Sequence, residues 1–122
     1  MKTETVEKIN NLNDLSFEYR DSDPPYSYEL AREALELSLG ISYERGAGFA
    51  YLNIGKYHFA MSDVDSSMVY LNKANELSQK ANDHATLVKI FNAIARIHFT
   101  NNDYLTCIEY LEKALNICEE QN

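Results

Sequence analysis

With 122 residues the chain fits one domain able to bury its own core, and its net charge of −8, from 19 acids against 11 bases, argues against general nucleic-acid affinity. The opening Met-Lys-Thr-Glu lacks the apolar core of a signal peptide, and no window approaches the 18 or so apolar residues that cross a bilayer. A cytoplasmic protein that does not insert into membranes is expected.

Apolar residues recur near every 3.6 positions through almost the whole chain, with breaks at regular places. The pattern predicts six helices, at about 3 to 20, 25 to 39, 43 to 61, 64 to 80, 84 to 101 and 104 to 120. Asp21, Ser22 and Asp23 before Pro24 and Pro25 end the first helix and open the second. Gly40 marks the next joint, Ser62 with Asp63 the one after, then Asn82 with Asp83, and Asn102 with Asp103. No segment alternates like a strand, so the fold class is all-α. Cys107 and Cys118 lie on one predicted helix roughly 16 Å apart, too far for a disulfide, and both are expected to be reduced.

The last two thirds repeat. Ile54, His58, Phe59, Asp63, Tyr70, Leu71, Lys73 and Ala74 return 40 residues on as Ile94, His98, Phe99, Asp103, Tyr110, Leu111, Lys113 and Ala114. Asp23, Ala34 and Leu37 stand one period before Asp63, Ala74 and Leu77, which extends the array to three units, at about 3–42, 43–82 and 83–122. Short turns make each unit an antiparallel helix pair. First helices offer a large residue, an aliphatic, a small residue and a ring: Leu12, Leu15, Ser16, Tyr19; Tyr51, Ile54, Gly55, His58; Phe91, Ile94, Ala95, His98. Gly55 in mid-helix costs about 1 kcal/mol in propensity, so it implies a close approach of the partner helix. Ser27, Ser67 and Cys107 supply small residues opposite. The first-helix set of unit one precedes that of unit two by 39 rather than 40, which predicts an inner turn one residue shorter.

On these residues the chain resembles the tetratricopeptide repeat family over essentially its whole length. It departs from the usual 34-residue spacing, puts His58 and His98 where a tyrosine is favoured, and lacks the closing proline. The longer period resembles the extended repeats of bacterial regulators, and the stretch from Leu12 to Ser38 is similar to their opening unit. The resemblance implies three helix pairs stacked in a right-handed superhelix, an α-solenoid, and a protein-binding or peptide-binding function. It points to the amino-terminal sensory or docking part of a bacterial signalling protein, such as a diguanylate cyclase or sensor kinase, or to a peptide-pheromone sensor. It also implies a groove lined by Asn10, Asn13, Phe17 and Arg20, then Phe49, Leu52, Lys56 and Phe59, then Lys89, Asn92, Arg96 and Phe99.

Charge supports a distinct surface there independently. No acid lies between Glu44 and Asp63, only Arg45 and Lys56, and none between Asp83 and Asp103, only Lys89 and Arg96. A locally positive groove would attract a carboxylate-bearing partner, although the same bases also relieve self-repulsion in an acidic chain. Phe17, Phe59 and Phe99 form either an aromatic clamp or ordinary packing between neighbouring first helices. The asparagines are either backbone-binding groups or solvated surface. His58 and His98 read as core histidines without a third ligand, so no metal or cofactor is expected. There is no phosphate loop, paired-cysteine motif or nucleophile elbow, so no enzyme is expected. On the last helix, Ile108, Leu111, Leu115 and Cys118 form an apolar stripe. Such a stripe implies either further chain beyond Asn122 or a homodimer paired through this face.

Overall fold

A computed structural model describes residues 2–121. Six helices of 17 residues run in order: α1 (Lys2–Glu18), α2 (Pro24–Gly40), α3 (Glu44–Ala60), α4 (Val64–Lys80), α5 (His84–Thr100) and α6 (Tyr104–Glu120). From α2 onward a helix begins every 20 residues, so each 40-residue unit is two equal halves.

Equal spacing follows from one joint used four times. Ser42, Ser62, Asn82 and Asn102 take left-handed backbone angles, with φ of 55°, 63°, 52° and 62°. At each, two amides fold back onto the ended helix: Ser62 N–H donates to Phe59 O at 2.9 Å, and Asp63 N–H to His58 O at 2.8 Å. This is the Schellman closure, which satisfies carbonyls that the helix end leaves open. The same aspartate then caps the next helix, because Asp63 Oδ1 accepts from Ser66 N–H at 3.1 Å. Asp83 and Asp103 do likewise for Thr86 and Thr106, both at 3.3 Å. Gly40 is not the turning residue; it closes α2 in helical conformation, and Ser42 carries the left-handed angle. The expected shorter first inner turn is a correction: equivalent residues are one position closer there, but α1 ends early, at Glu18, so its link to α2 takes five residues against three at the later inner turns. Asp23 N–H reaches back four residues to Tyr19 O, where Asp63 and Asp103 reach back five.

Within units, α1 packs on α2, α3 on α4 and α5 on α6; between units, α2 packs on α3 and α4 on α5. The first helices α1, α3 and α5 also touch in series, whereas among the described residues α2, α4 and α6 do not touch one another. Helices close on one side and splayed on the other bend the array, with α1, α3 and α5 forming the inner wall. The architecture is an all-α solenoid.

Backbone proximity holds each pair. Ser67 Oγ donates to Gly55 O at 2.7 Å, and in unit one Ser16 and Ser27 exchange hydroxyl-to-carbonyl bonds of 2.7 and 2.6 Å. A Cβ on Gly55 would stand 3.0 Å from Leu71 Cγ and 3.3 Å from Ser67 O. Leu52, Leu71, Ala74, Leu87, Ile90, Phe91, Ile94 and Ile97 form the main core between units two and three. A smaller cluster around Ile9, Ala34 and Ala50 joins units one and two.

Two predictions follow from this packing and capping. Gly55→Ala gains helix propensity but drives α4 away, for a net loss of about 1–2 kcal/mol. Gly40→Ala meets no atom within 4 Å and gains about 0.5–1 kcal/mol; urea melts of both variants read the opposite signs. Hydrogen bonds from Ser66, hydroxyl first and then amide, hold the Asp63 carboxyl below its ordinary value, and nearby His58 adds to this. Thr106, followed by His98, does the same for Asp103. A depressed folded-state pKa stabilises above the ordinary carboxylate pKa of about 4, and that contribution is lost as pH falls through the folded value. The melting-temperature gap between wild type and Asp63→Asn/Asp103→Asn is therefore widest at neutral pH and closes toward pH 2. A constant gap would place the effect elsewhere.

Candidate functional site

Toward the C-terminal ends of α1, α3 and α5, the inner wall opens into a recess of about 540 Å³ continuous with solvent. Its rim carries one cation from each unit: Arg20, Lys56 and Arg96. Its floor reaches between α3 and α5 to Ser67 and Leu71 of α4, with Ala93 and Ile97 alongside. Asp21 is the one carboxylate lining it, 3.7 Å from Arg20 Nε. Burial lowers the pKa of the Lys56 ammonium, and the positive charges of Arg20 and then Arg96 lower it further; Asp21 only partly opposes them. An amine held this way is short of anions.

Aromatic rings seat these cations. The Arg20 guanidinium lies 4.0 Å from the Phe17 ring centre and donates from Nη1 to Phe17 O at 2.7 Å. Lys56 and Lys89 approach the same ring at 5.8 and 5.6 Å, and Arg96 lies 5.8 Å from Phe59. Phe17 in turn meets Phe49 edge to face at 6.0 Å, so this pair packs between neighbouring first helices. Phe59 is half-buried against the main core, while Phe99 is 59% exposed and touches Tyr104.

Not every expected groove residue faces the groove. Leu52, at 0% exposure, is a correction to that set, whereas Asn13, at 2% exposure, still lines a recess of the wall. They occupy equivalent places that the next first helix covers. Asn13 Nδ2 donates to Gly46 O of α3 at 3.0 Å, and Leu52 joins core residues of α5. Asn92 takes the same place on α5 and is exposed, since no further first helix follows among the described residues. Asn10 is exposed and accepts from Tyr43 O–H at 3.0 Å. Arg45 is engaged: its Nη1 lies 3.3 Å from the buried Asp83 carboxylate, bracing the joint before α5. Together with Asn10, Asn13, Asp14, Phe49, Asp83 and Lys89, it lines a second recess of about 640 Å³, open to solvent and of mixed charge.

The sequence reading missed the floor residues Ser67, Leu71, Ala93 and Ile97, which only the spacing of α3 and α5 exposes. It also missed Asn53, buried with its Nδ2 donating to Asn13 O at 3.1 Å. His58 and His98 stack on Tyr70 and Tyr110, with Nδ1 3.9 and 3.5 Å from Asp63 and Asp103 carboxylates. Among the described residues no three His, Cys, Asp or Glu side chains gather as a metal site. Cys107 is buried and Cys118 exposed. No described helix is long and apolar enough to cross a membrane.

Repeated helical hairpins with a continuous inner wall define a solenoid of the protein-interaction class. Residues 50–80 and 88–121 match the family model of the tetratricopeptide repeat, and the chain belongs to that family. In fold it is similar to the crystal structure of the TPR domain of Arabidopsis FLU. The TM-score is 0.76 at 14% identity, covering 95% of this chain and 98% of that one. No curated protein matches the sequence.

Proposed function

We propose that this chain is a non-catalytic, cytoplasmic docking module that receives a carboxylate-bearing segment of a protein or peptide partner along its inner wall. The carrying observation is the convergence of Arg20, Lys56 and Arg96, one per unit, on a single recess in a protein of net charge −8. Such a field draws acidic segments to one place and repels them from the rest of the surface. The extended 40-residue period and the opening unit from Leu12 to Ser38 support a place as the amino-terminal sensory or docking part of a bacterial signalling protein, such as a diguanylate cyclase or sensor kinase. A peptide sensor would use the same wall.

A second reading is favoured by α6. Leu105, Ile108, Leu111 and Leu115 are 79%, 50%, 46% and 56% exposed, and Cys118 is exposed beside them. Their equivalents on α4 include Leu71, which is 1% exposed beneath α5. Pairing two copies through this face would remove apolar surface from water at about 25 cal/mol per Å².

Lys56→Glu/Arg96→Glu is expected to lose, at unchanged helicity and melting temperature, a partner that immobilised wild type retains from extracts of the source cells. Equal retention by both proteins would end the docking reading. For the second reading, sedimentation velocity of Leu111→Glu/Leu115→Glu is expected to show a monomer where the wild type forms a dimer. A wild type that stays monomeric at every concentration rules out self-association.

A further inference from the structure

We infer that the recess beneath Lys56 is an anchor site for one large apolar side chain, carried inside a partner's chain and flanked by acidic residues on both sides. The inference rests on the docking reading and specifies what the docked segment must contain.

The floor sets the apolar half. Leu71, Ala93 and Ile97 are 1%, 8% and 2% exposed, and the recess passes between α3 and α5 to reach Leu71 in the layer behind. Ser67, the polar floor residue, already gives its hydroxyl proton to Gly55 O at 2.7 Å. A polar group inserted there would give up its water for no donor, whereas an apolar one loses nothing and leaves water. The recess is open at its mouth and holds about 110 Å³ of space within it, which admits one Leu-sized group.

The rim sets the acidic half. Arg20, Lys56 and Arg96 come from successive units, so a chain lying along the array meets one cation before the recess, one over it and one after it. The single rim carboxylate, Asp21, is on the Arg20 side at 3.7 Å from Nε. Asp21 offsets Lys56 only in part and lies away from Arg96, and acids on both sides of the anchor complete the neutralisation. The second recess carries no such demand, because Asp14 and Asp83 already line it and Asp83 holds Arg45 at 3.3 Å.

Blocked pentapeptides test this on the 122-residue protein by amide NMR: acetyl-Gly-Glu-Leu-Glu-Gly-amide, the same with Ala for Leu, and the same with Gln for both Glu. The first is expected to shift the amides of Leu71, Ala93 and Ile97 saturably at millimolar concentration. The Ala peptide should bind at least about tenfold more weakly, since three carbons leave the floor, and Lys56→Gln should weaken the first peptide with the rest of the spectrum unchanged. The absence of saturable shifts at the recess with any peptide overturns the site. Equal or tighter binding by free 4-methylpentanoate, or by a peptide ending in Leu with a free carboxylate, makes the ligand a free acid or a chain end. Either overturns the internal anchor while leaving the docking reading standing. Equal binding of the Glu and Gln peptides removes the anchor and the electrostatic docking reading together.

Discussion

Everything in this molecule hangs on a three-residue reversal in which one left-handed residue and one following residue close a helix and start the next. A left-handed angle at a non-glycine residue costs about 1–2 kcal/mol, and here it falls on Ser42, Ser62, Asn82 and Asn102. The two returning amides and the aspartate cap offset that cost at three of the four joints. At the fourth, Tyr43 makes no capping bond from its side chain and instead reaches Asn10 on α1, tying units one and two. Because each reversal consumes the same length, α3 and α5 begin and end level. Lys56 and Arg96, 40 residues apart, therefore stand at one height on the inner wall.

That levelness turns a sequence-wide charge bias into a local field. Most acids lie on the second helices and joints, facing water, while the inner helices α3 and α5 hold Lys56, Lys89 and Arg96 with no acid after Glu44. Burial first, and then the nearby charges of Arg20 and Arg96, lower the affinity of Lys56 for its proton. Phe17 and Phe59 soften the effect through the negative faces of their rings. A residual positive charge without an internal partner is the property expected of a surface that meets an anion from outside rather than one serving the fold.

The array itself was legible because repeat identity, helix period and small-residue positions all speak to the same hairpin. The helix ends fall within two residues of the periodicity, but the 39-residue offset, read as a shorter first turn, goes with an earlier end of α1 and a longer link. The wall was less legible. Periodicity places a residue on a helix face but does not say whether a neighbouring helix covers that face, so Leu52 looked like a groove residue and is core, and Asn13 is mostly covered. Arg45 looked like a groove base and is tied to Asp83, a partner 38 residues away that no local pattern indicates. The recess floor belongs to two layers at once, and a helix-by-helix reading has no access to a gap between helices.

The first inner link connects these levels. Unit one places Phe17 where units two and three place Lys56 and Arg96, so by repeat logic the wall should lose its first cation. With five residues against three in its counterparts and no left-handed residue, the link instead folds Arg20 back, so that its guanidinium bonds Phe17 O and lies on the Phe17 ring. The ring substituted for a base thus becomes the seat for a base supplied by the turn. The departure from strict periodicity keeps one cation per unit around the recess, and it adds an aromatic surface that the later units lack at that place.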